Sequence, residues 1–524
     1  MDSNKIKAIL VAIFAIFIAL YLGISAATAQ METIAWVLGG GTLVVCLFLG
    51  RRIWLLIPFL GSIELSLRLP GAPSTLLIAQ LLVLGFSVLL MMMRKLPFRL
   101  HLTELEWWLV ILTLMILQAY LRNPVGLNIL GGGSVGGRPY AIFAVSILVA
   151  LLLAGIRVPL TDVKLILKLS ILGGLVNAGI AVVAHFFPLV GYWTGGTYLN
   201  EGEANYEDVG VAVDTGAANR IGSLTTITRN VAMWVASFVS PLKACFQPLW
   251  APLVIFTVVG AAYSGFRSTV ITVGVIYLIG IAYRGGITSL LIAGLGGMAG
   301  VVLLAVVNLI HPLPPNVQRG LSFIPGSWDD RYVRDATGST DWRVEIWQEA
   351  LLSDRWIKNK WLGDGLGFSA QELAYQMNIS KGNQTGISGL DNHRETIMAN
   401  GDYHSTIVSG IRTAGYVGTL ILLLATIRLA IHAHRLIRRH RRDEFYPVCL
   451  FLGIPLVAAP FHFMIGASNF AGVASSFILG IAMIRLLENN LPVPELMPAG
   501  TALPLQRGPF APRNRSFPAS NAAS

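Results

Sequence analysis

The stretch HSTIVSGIRTAGYVGTLILLLATIRLAIHAHRLIRRHRR, residues 404–442, begins with a histidine, continues as a long apolar run and ends in a dense basic segment. An apolar run of about 20 residues is long enough to cross the hydrocarbon core of a bilayer as a helix. Lys and Arg collect on the cytoplasmic side of membrane proteins, so the basic segment 434–442 marks a cytoplasmic end. His404 is then predicted to lie at the opposite boundary, where a long polar loop ends.

Similar apolar runs recur along the chain, which has 524 residues and is 54% hydrophobic and only 12% charged. This composition predicts an all-α, polytopic transmembrane bundle of about 14 spans, with about 12 as the alternative. The run at 8–27 is too long for the core of a signal peptide and is interpreted as a retained first span. The third span is predicted to contain Glu64 and Arg68. The spans are predicted to begin near residues 7, 34, 53, 75, 106, 138, 163, 229, 248, 268, 287, 405, 445 and 468.

The basic residues set the orientation, because they fall at alternate connections between the apolar runs. The remaining short connections are nearly free of positive charge, so both termini are predicted to be cytoplasmic. The net charge of +11 belongs mainly to these helix ends, which argues against a nucleic-acid partner. The cytoplasmic connections are marked by Lys5, Lys7, Arg51, Arg52, Arg94, Lys95, Arg99, Arg157, Lys164, Arg284 and the segment 434–442.

This pattern divides the chain into four segments. Residues 1–310 form an N-terminal transmembrane bundle that contains an outward-facing loop at about 188–228. Residues 311–404 form a large, partly helical outer loop, because a structureless loop of that length would be unusual. Residues 405–490 form the C-terminal transmembrane helices, and residues 491–524, rich in Pro, Ala and Ser, are predicted to be a disordered cytoplasmic tail.

Two arginines on the predicted outer side are candidates for binding an anion. Arg267 lies in YSGFRST, residues 263–269, where two apolar runs meet at an outer turn. Arg343 lies in DWRVEIWQEALL, residues 341–352, whose spacing predicts an amphipathic helix. A guanidinium group suits phosphate because its planar fork donates two parallel hydrogen bonds and keeps its proton. The alternatives are an interfacial arginine for Arg267 and a solvated helix charge for Arg343.

The segment WLGDGLGFS, residues 361–369, follows the predicted amphipathic helix, and its repeated glycines allow close approach of the backbone. Arg319 and Arg334 in the outer loop, and Arg412 shortly after His404, are predicted to assist in substrate binding.

His404 is the strongest candidate for a proton acceptor among the nine histidines. A neutral imidazole can take up a proton near neutral pH, and Ser405 or Tyr403 could orient the ring. The alternative is a hydrogen-bonded histidine at the membrane interface. The other outer histidines, His311 and His393, have less suitable surroundings.

Several motifs are absent from the sequence. It contains no DxD sequence for a metal-bound nucleotide sugar, no HExxH and no Walker motif. Cys46, Cys245 and Cys449 all lie in apolar runs and are interpreted as packing residues, so neither a metal site nor a cofactor is expected.

With these motifs in their observed order, the chain resembles the O-antigen ligase and O-antigen polymerase (Wzy-like) superfamily of bacterial polytopic membrane glycosyltransferases. The resemblance covers about 255 to 420 and rests on SGFR, on STDWRVEIWQEAL followed by WLGDGLGF, and on HSTIVSGIRTAGYVG. It implies an enzyme of the bacterial inner membrane whose active site opens to the periplasm. Arg267, Arg343 and His404 would match the catalytic residues of the family, with Phe266 in place of a serine in the turn.

The resemblance also implies the reaction. An undecaprenyl-diphosphate-linked glycan would be the donor, the transfer would need no metal ion, and membrane lipid would surround the protein. A ligase would pass the glycan to lipid A-core, whereas a polymerase would join repeat units of an O-antigen or exopolysaccharide. The motifs do not separate these two, although ligase is favoured slightly. A transporter of lipid-linked sugars is the alternative from a different class.

Overall fold

The structure is a computed structural model of the chain. It describes residues 40–42, 44–66, 73–126, 136–187, 190–191, 194, 220–369, 371, 374, 394, 397–398, 401, 403–466 and 469–492. The first predicted span, most of the loop at 188–228 and His393 therefore lie outside the described residues. The chain divides into a large unit, Met1–Leu491, and a second unit, Pro492–Ser524, of which Pro492 alone is described.

The described residues form helices and no strands, which confirms the predicted all-α class. Residues 40–42 and 44–49 are α-helical and lead into a 3₁₀ helix, Gly50–Leu55. The helices are α1 Leu56–Leu60, α2 Thr75–Met92, α3 Glu104–Arg122, α4 Arg138–Gly155, α5 Leu160–Phe186, α6 Gly222–Phe238, α7 Pro241–Ala244, α8 Ala251–Tyr263, α9 Arg267–Ile310, α10 Pro315–Leu321, α11 Asp330–Leu352, α12 Thr406–Arg439, α13 Tyr446–Ile465 and α14 Phe470–Asn490.

Nine helical segments in the described part of the chain are long and apolar enough to cross a bilayer, so the chain is a helical membrane protein. The longest, α9, has 44 residues and is interrupted at Gly286, where φ is 73°. At about 1.5 Å per residue it would extend about 66 Å, roughly twice the thickness of the hydrocarbon core. The interruption lies where the sequence predicts one span to end and the next to begin.

The third predicted span is wrong in its extent. One candidate span, Gly40–Leu60, covers the start predicted near residue 53, and a positive φ of 50° at Gly50 interrupts it. The start predicted near residue 34 lies outside the described residues. The helix ends at Leu60, so Glu64 lies beyond it and forms an ion pair with Arg229 of α6. The charged carboxylate has a lower free energy beside this guanidinium than at an apolar position inside a membrane helix. Arg68 lies outside the described residues.

Connections that the sequence places on the cytoplasmic side contact one another at one end of the bundle, called here the basic end. The Arg52 guanidinium is 3.0 Å from the Asp162 carboxylate, and the Lys164 amine is 2.8 Å from that of Glu444. Arg284 lies over the ring of Tyr446, 5.1 Å from its centre. The predicted grouping of these connections on one side therefore agrees with their contacts.

A buried ion pair also lies near the basic end and joins α3 to α14. The Arg485 Nε donates to the Glu106 carboxylate at 2.5 Å, and Glu106 is completely buried. The second Glu106 oxygen accepts from the backbone N–H of Thr103 at 2.7 Å, as in a capping box at the start of α3. Glu488 accepts from Arg485 at 2.9 Å. Because both charges have partners, the pair is tolerated away from water.

The glycine-containing segment 360–365, called here the docked loop, fills a break in α12 at the end of the bundle opposite the basic end. Gly415 has φ of 72°, so the helix is interrupted there and its backbone groups need other partners. The N–H groups of Asp364 and Gly365 donate to the carbonyls of Arg412 and Thr413 at 2.6 and 3.0 Å. On the far side of the break, the Tyr416 N–H donates to the Lys360 carbonyl at 2.8 Å. The glycines of 361–369 thus serve a close backbone contact, as predicted.

Replacing Gly415 by alanine is expected to lower the thermal stability of the protein by several degrees. The new Cβ would lie 2.1 Å from the Trp361 carbonyl oxygen, and a left-handed backbone costs a non-glycine residue about 1–3 kcal/mol. Gly300→Ala in α9 is the matched control, since nothing lies within 4 Å of its Cβ position. The measurement is the midpoint of heat-induced loss of monodisperse protein in detergent. Equal midpoints for the two variants would show that the docked loop does not constrain Gly415.

Candidate functional site at the loop end of the bundle

The turn between α8 and α9 presents Arg267 at the end of the bundle that carries the docked loop. Gly265 adopts φ of 75°, which lets the chain reverse within a few residues. Arg267 is the first residue of α9, and its guanidinium reaches α11. It donates to the Ala336 carbonyl at 2.7 Å and to the Thr340 hydroxyl at 3.1 Å. Arg267 therefore ties the turn to the predicted amphipathic helix of the outer loop.

Arg319, in α10, contacts the same turn. It is 4% exposed, forms an ion pair with Asp335 and donates to the Gly265 carbonyl at 2.6 Å. Burial lowers the pKa of the Arg319 guanidinium, and the positive charge of Arg220 acts in the same direction. The structure thus gives this predicted substrate-binding residue partners within the protein.

Arg220 is a third arginine at this turn and was not singled out from the sequence. Its guanidinium lies 5.8 Å from the centre of the Phe266 ring, and it is close enough to interact electrostatically with Arg267 and Arg319. In the sequence it is a single basic residue between the acidic loop and α6. Arg220 comes close to the other two arginines through its contact with Phe266, which lies 46 positions later in the chain. We call Arg220, Arg267 and Arg319 the arginine cluster.

The helix predicted in 341–352 is the second half of α11, and one of its faces connects the predicted site residues. Ala336, Thr340, Arg343 and Trp347 are spaced by four, three and four residues, so they lie along one stripe of the helix. Arg267 binds the first two members. At the other end, the Trp347 indole donates to the Tyr403 carbonyl at 2.7 Å. Arg343 lies on the stripe between these two contacts.

His404 comes directly after Tyr403 in the chain, and its backbone is strained. Its φ is 47°, in the left-handed region that a residue with a side chain adopts at a cost. The ring is half-buried and its centre is 5.9 Å from the nearest ring centre of Trp342 in α11. Strained residues of this kind cluster at functional sites, where the surrounding structure holds them in place.

The neighbours expected to orient His404 have other roles. The Ser405 hydroxyl accepts from the Val408 N–H at 3.4 Å and caps α12. Tyr403 is fully buried, packs with Ile346 and Ile357, and has its pKa raised to about 12 by burial. At neutral pH that phenol keeps its proton, so it does not act as a base. The aromatic neighbour of His404 that the structure supplies is Trp342.

Two further predicted substrate-binding residues have different surroundings. Arg412 is 5% exposed, donates to the Gly365 carbonyl at 3.1 Å and lies 3.7 Å from the centre of the Phe368 ring. It therefore holds the docked loop against α12. Arg334 is exposed on α11, and its Nε donates to the Asp330 carbonyl one turn earlier at 3.2 Å.

An open groove of about 490 Å³ lies at the C-terminal end of α11. Carboxylates, an amide, a hydroxyl and a guanidinium line it, and these groups hydrogen-bond readily to sugar hydroxyls. Arg394 donates to Glu349 at 2.7 Å across it. The lining residues are Glu345, Gln348, Glu349, Leu352, Ser353 and Arg394.

Taken together, α11 contacts Arg267 near its middle, carries Arg343 on the same face and packs beside His404. The arrangement can hold an anion near the guanidinium groups and accept a proton at the imidazole. No protein-family model and no curated protein matches the chain.

Proposed function

We propose that the chain is an integral membrane glycosyltransferase that moves a glycan from undecaprenyl diphosphate to a sugar acceptor. The stripe on α11 carries this proposal, because it connects Arg267 to the segment of His404 with Arg343 between them. Ala336 and Trp347 are eleven positions apart, which corresponds to about 16 Å along the helix. That length accommodates a diphosphate and the sugar attached to it.

In the proposed reaction, a hydroxyl oxygen of the acceptor attacks the anomeric carbon of the donor. The bond between that carbon and the phosphate oxygen breaks, and the lipid diphosphate leaves with the electron pair. Arg267 and Arg343 stabilise the growing negative charge, which is worth about 10²–10³ in rate for each such contact. His404 takes the proton of the hydroxyl, worth about 10²–10⁴. Direct attack inverts the configuration at the anomeric carbon.

The proposed setting is the bacterial inner membrane. The basic end would lie in the cytoplasm by the positive-inside rule, with both termini there. The arginine cluster, α11 and His404 would then face the periplasm. A donor with a long polyprenyl tail explains why such an enzyme is embedded in the bilayer.

Within this class, transfer of a finished O-antigen to lipid A-core is favoured over polymerisation of repeat units. Purified protein is offered both acceptors together with lipid-linked glycan. Product on lipid A-core supports a ligase, whereas extension of the lipid-linked repeat supports an O-antigen or exopolysaccharide polymerase.

Transfer is expected to continue in excess EDTA, because the arginines supply the positive charge that a divalent metal supplies in other enzymes. The rates with EDTA, with added Mg²⁺ and with neither are compared on one preparation. Loss of transfer in EDTA and its return with Mg²⁺ would contradict a metal-independent mechanism.

A transporter of lipid-linked sugars is the second candidate. The break in α12 at Gly415 favours it, since transporters often have interrupted helices within the membrane. A transporter needs two compartments and would not consume the donor in detergent. Consumption of lipid-linked glycan by the detergent-purified protein therefore separates the two functions.

A further inference from the structure

The C-terminal end of α12 carries a dense group of positive charges at the basic end of the bundle. Three arginines lie in its last two turns and two more follow it directly, all with exposed side chains: Arg435, Arg438, Arg439, Arg441 and Arg442. None of these five guanidinium groups forms an ion pair or a hydrogen bond with a described residue. Like charges three or four positions apart on a helix repel one another, so a bound anion would lower the free energy of this segment.

The carboxylates of the basic end are already paired within the described part of the chain. Asp443 pairs with His440, and the Glu444 carboxylate is 2.8 Å from the Lys164 amine. The remaining carboxylates at this end also contact basic side chains, and they are Asp162, Glu104, Glu106 and Glu488. Beyond Pro492 the sequence has one acidic residue and three arginines, so that segment adds positive charge. The carboxylates closest in the structure therefore do not balance the five arginines.

The length of α12 places its last turns at the depth of the lipid headgroups. The helix runs without interruption from Tyr416, next to the break at Gly415, to Arg439, a distance of about 35 Å for 23 positions. Tyr416 lies at the loop end, where its ring contacts the exposed ring of Trp361 with their centres 5.5 Å apart. Exposed Trp and Tyr are typical of the boundary between hydrocarbon and headgroups. Because the hydrocarbon core is about 30 Å thick, the helix reaches the opposite boundary near Arg435.

One face of α12 combines an apolar part inside the membrane with arginines at its end, and we call it the lipid face. Its members are three or four positions apart, and they are Leu420, Leu424, Ile427, Ile431, Arg435 and Arg438. The first three are 56%, 44% and 37% exposed, so they are open to lipid chains in a membrane. The opposite side of the helix is buried in the bundle through Ala433, Leu436 and Ile437. The arginines thus continue the side of the helix that faces the lipid.

We propose that the lipid face of α12 binds an anionic phospholipid, with the headgroup phosphate between Arg435 and Arg438 and the acyl chains along the apolar part. Two arginines three positions apart on a helix can reach one phosphate, and each guanidinium can donate two parallel hydrogen bonds to it. The positive-inside rule accounts for basic residues at this end of the protein, but not for their alignment with the apolar face. A soluble polyanion would contact the arginines alone, whereas a phospholipid contacts both parts of the face. The proposed lipid site does not depend on glycan transfer.

The test measures binding of phosphatidylglycerol and of phosphatidylcholine, with the same acyl chains, to the full-length protein in a neutral detergent at low salt. Native mass spectrometry counts the bound lipids and gives their dissociation constants. The wild-type protein is expected to prefer phosphatidylglycerol by about tenfold or more. Arg435→Gln and Arg438→Gln are each expected to weaken phosphatidylglycerol binding by about fivefold, the contribution of one arginine at an anionic surface, and to leave phosphatidylcholine binding unchanged.

Two further variants serve as controls. Arg331→Gln removes the same charge at the loop end, where Arg331 is exposed and paired with Asp329 at 2.9 Å. It is expected to bind both lipids as the wild type does. The double variant Arg435→Lys/Arg438→Lys keeps the charges that orient the helix and is expected to retain most of the preference for phosphatidylglycerol.

Equal affinities of the wild-type protein for the two lipids overturn the proposal, and so does equal weakening of phosphatidylglycerol binding by Arg438→Gln and Arg331→Gln. Inorganic polyphosphate is added as a competitor that has the charge of the headgroup and no acyl chains. If polyphosphate displaces phosphatidylglycerol at a lower concentration of phosphate groups than the lipid itself supplies, the arginines belong to a soluble polyanion instead. Retention of phosphatidylglycerol in the presence of polyphosphate supports the phospholipid.

Discussion

Replacing His404 by glycine or by alanine is expected to reduce glycan transfer by about 10²–10⁴-fold, the usual contribution of a general base. The two variants are expected to differ in stability, with glycine the more stable by roughly 1 kcal/mol. At most positions glycine is the less stable of the two, because it loses more backbone entropy on folding. The order is reversed here since φ at residue 404 is 47°, where alanine stays strained and glycine does not.

The comparison separates the chemistry of the imidazole from the conformation of its backbone. Both variants remove the ring and its contact with Trp342, so that loss cancels between them. Transfer rates and thermal midpoints are measured on the same detergent preparations, with His311→Ala as a control on an exposed histidine of the loop end. Full activity in either variant would remove His404 from the mechanism. An alanine variant more stable than the glycine variant would show that the strain is absent.

Substitution of Arg343 by glutamine is expected to lower transfer by about 10²–10³-fold. The side chain lies between the two ends of the α11 stripe, which contact Arg267 and Tyr403. Glutamine removes the charge and keeps a polar side chain at this position. Arg343→Lys should recover part of the rate, because it restores the charge without the planar fork. Arg331→Gln in the same helix is the control. Donor binding and turnover are measured separately, since a contact made in the transition state lowers kcat more than it raises KM.

Arg267→Gln is the informative companion to Arg343→Gln. It removes the same kind of charge and also breaks the contacts with Ala336 and Thr340, so it should lower thermal stability as well as transfer. If both arginines hold one diphosphate, the double variant should lose less than the product of the single losses. Fully multiplicative losses would indicate that the two guanidinium groups act on separate ligands.

Much of the fold was predictable because membrane helices follow from apolar length and from the placement of Lys and Arg. The break of α9 at Gly286 lies beside Arg284, at a connection that the charge pattern assigns to the cytoplasm. The start of α6 was predicted seven positions too late, because its first two turns, from Gly222, are polar and do not resemble a span. The ion pair of Glu64 with Arg229 depends on a contact between distant segments, which no local pattern reports.

The sequence indicates which types of side chain form the candidate site, but it is less informative about the role of each individual residue. Arg343 was singled out because its helix has a regular amphipathic spacing, whereas the left-handed conformation of His404 is not visible in the sequence. Arg319 and Arg412 appear in the sequence as loop and helix-end charges, but both are buried against carbonyl groups. Arg220 was missed because it comes close to Arg267 only in the folded bundle, where α6 and α9 begin at the same end.

The ion pair of Glu106 with Arg485 has a consequence for biosynthesis. The two residues are 379 positions apart, so Glu106 emerges from the ribosome long before its partner exists. At about 5–20 residues per second, that interval is on the order of 20–80 s. During this time the Glu106 carboxylate can contact Thr103, and it becomes fully buried only after α14 has inserted. The C-terminal helix thus completes the interior of the bundle, and a ribosome that stops short of it leaves a charged residue of α3 without its guanidinium partner.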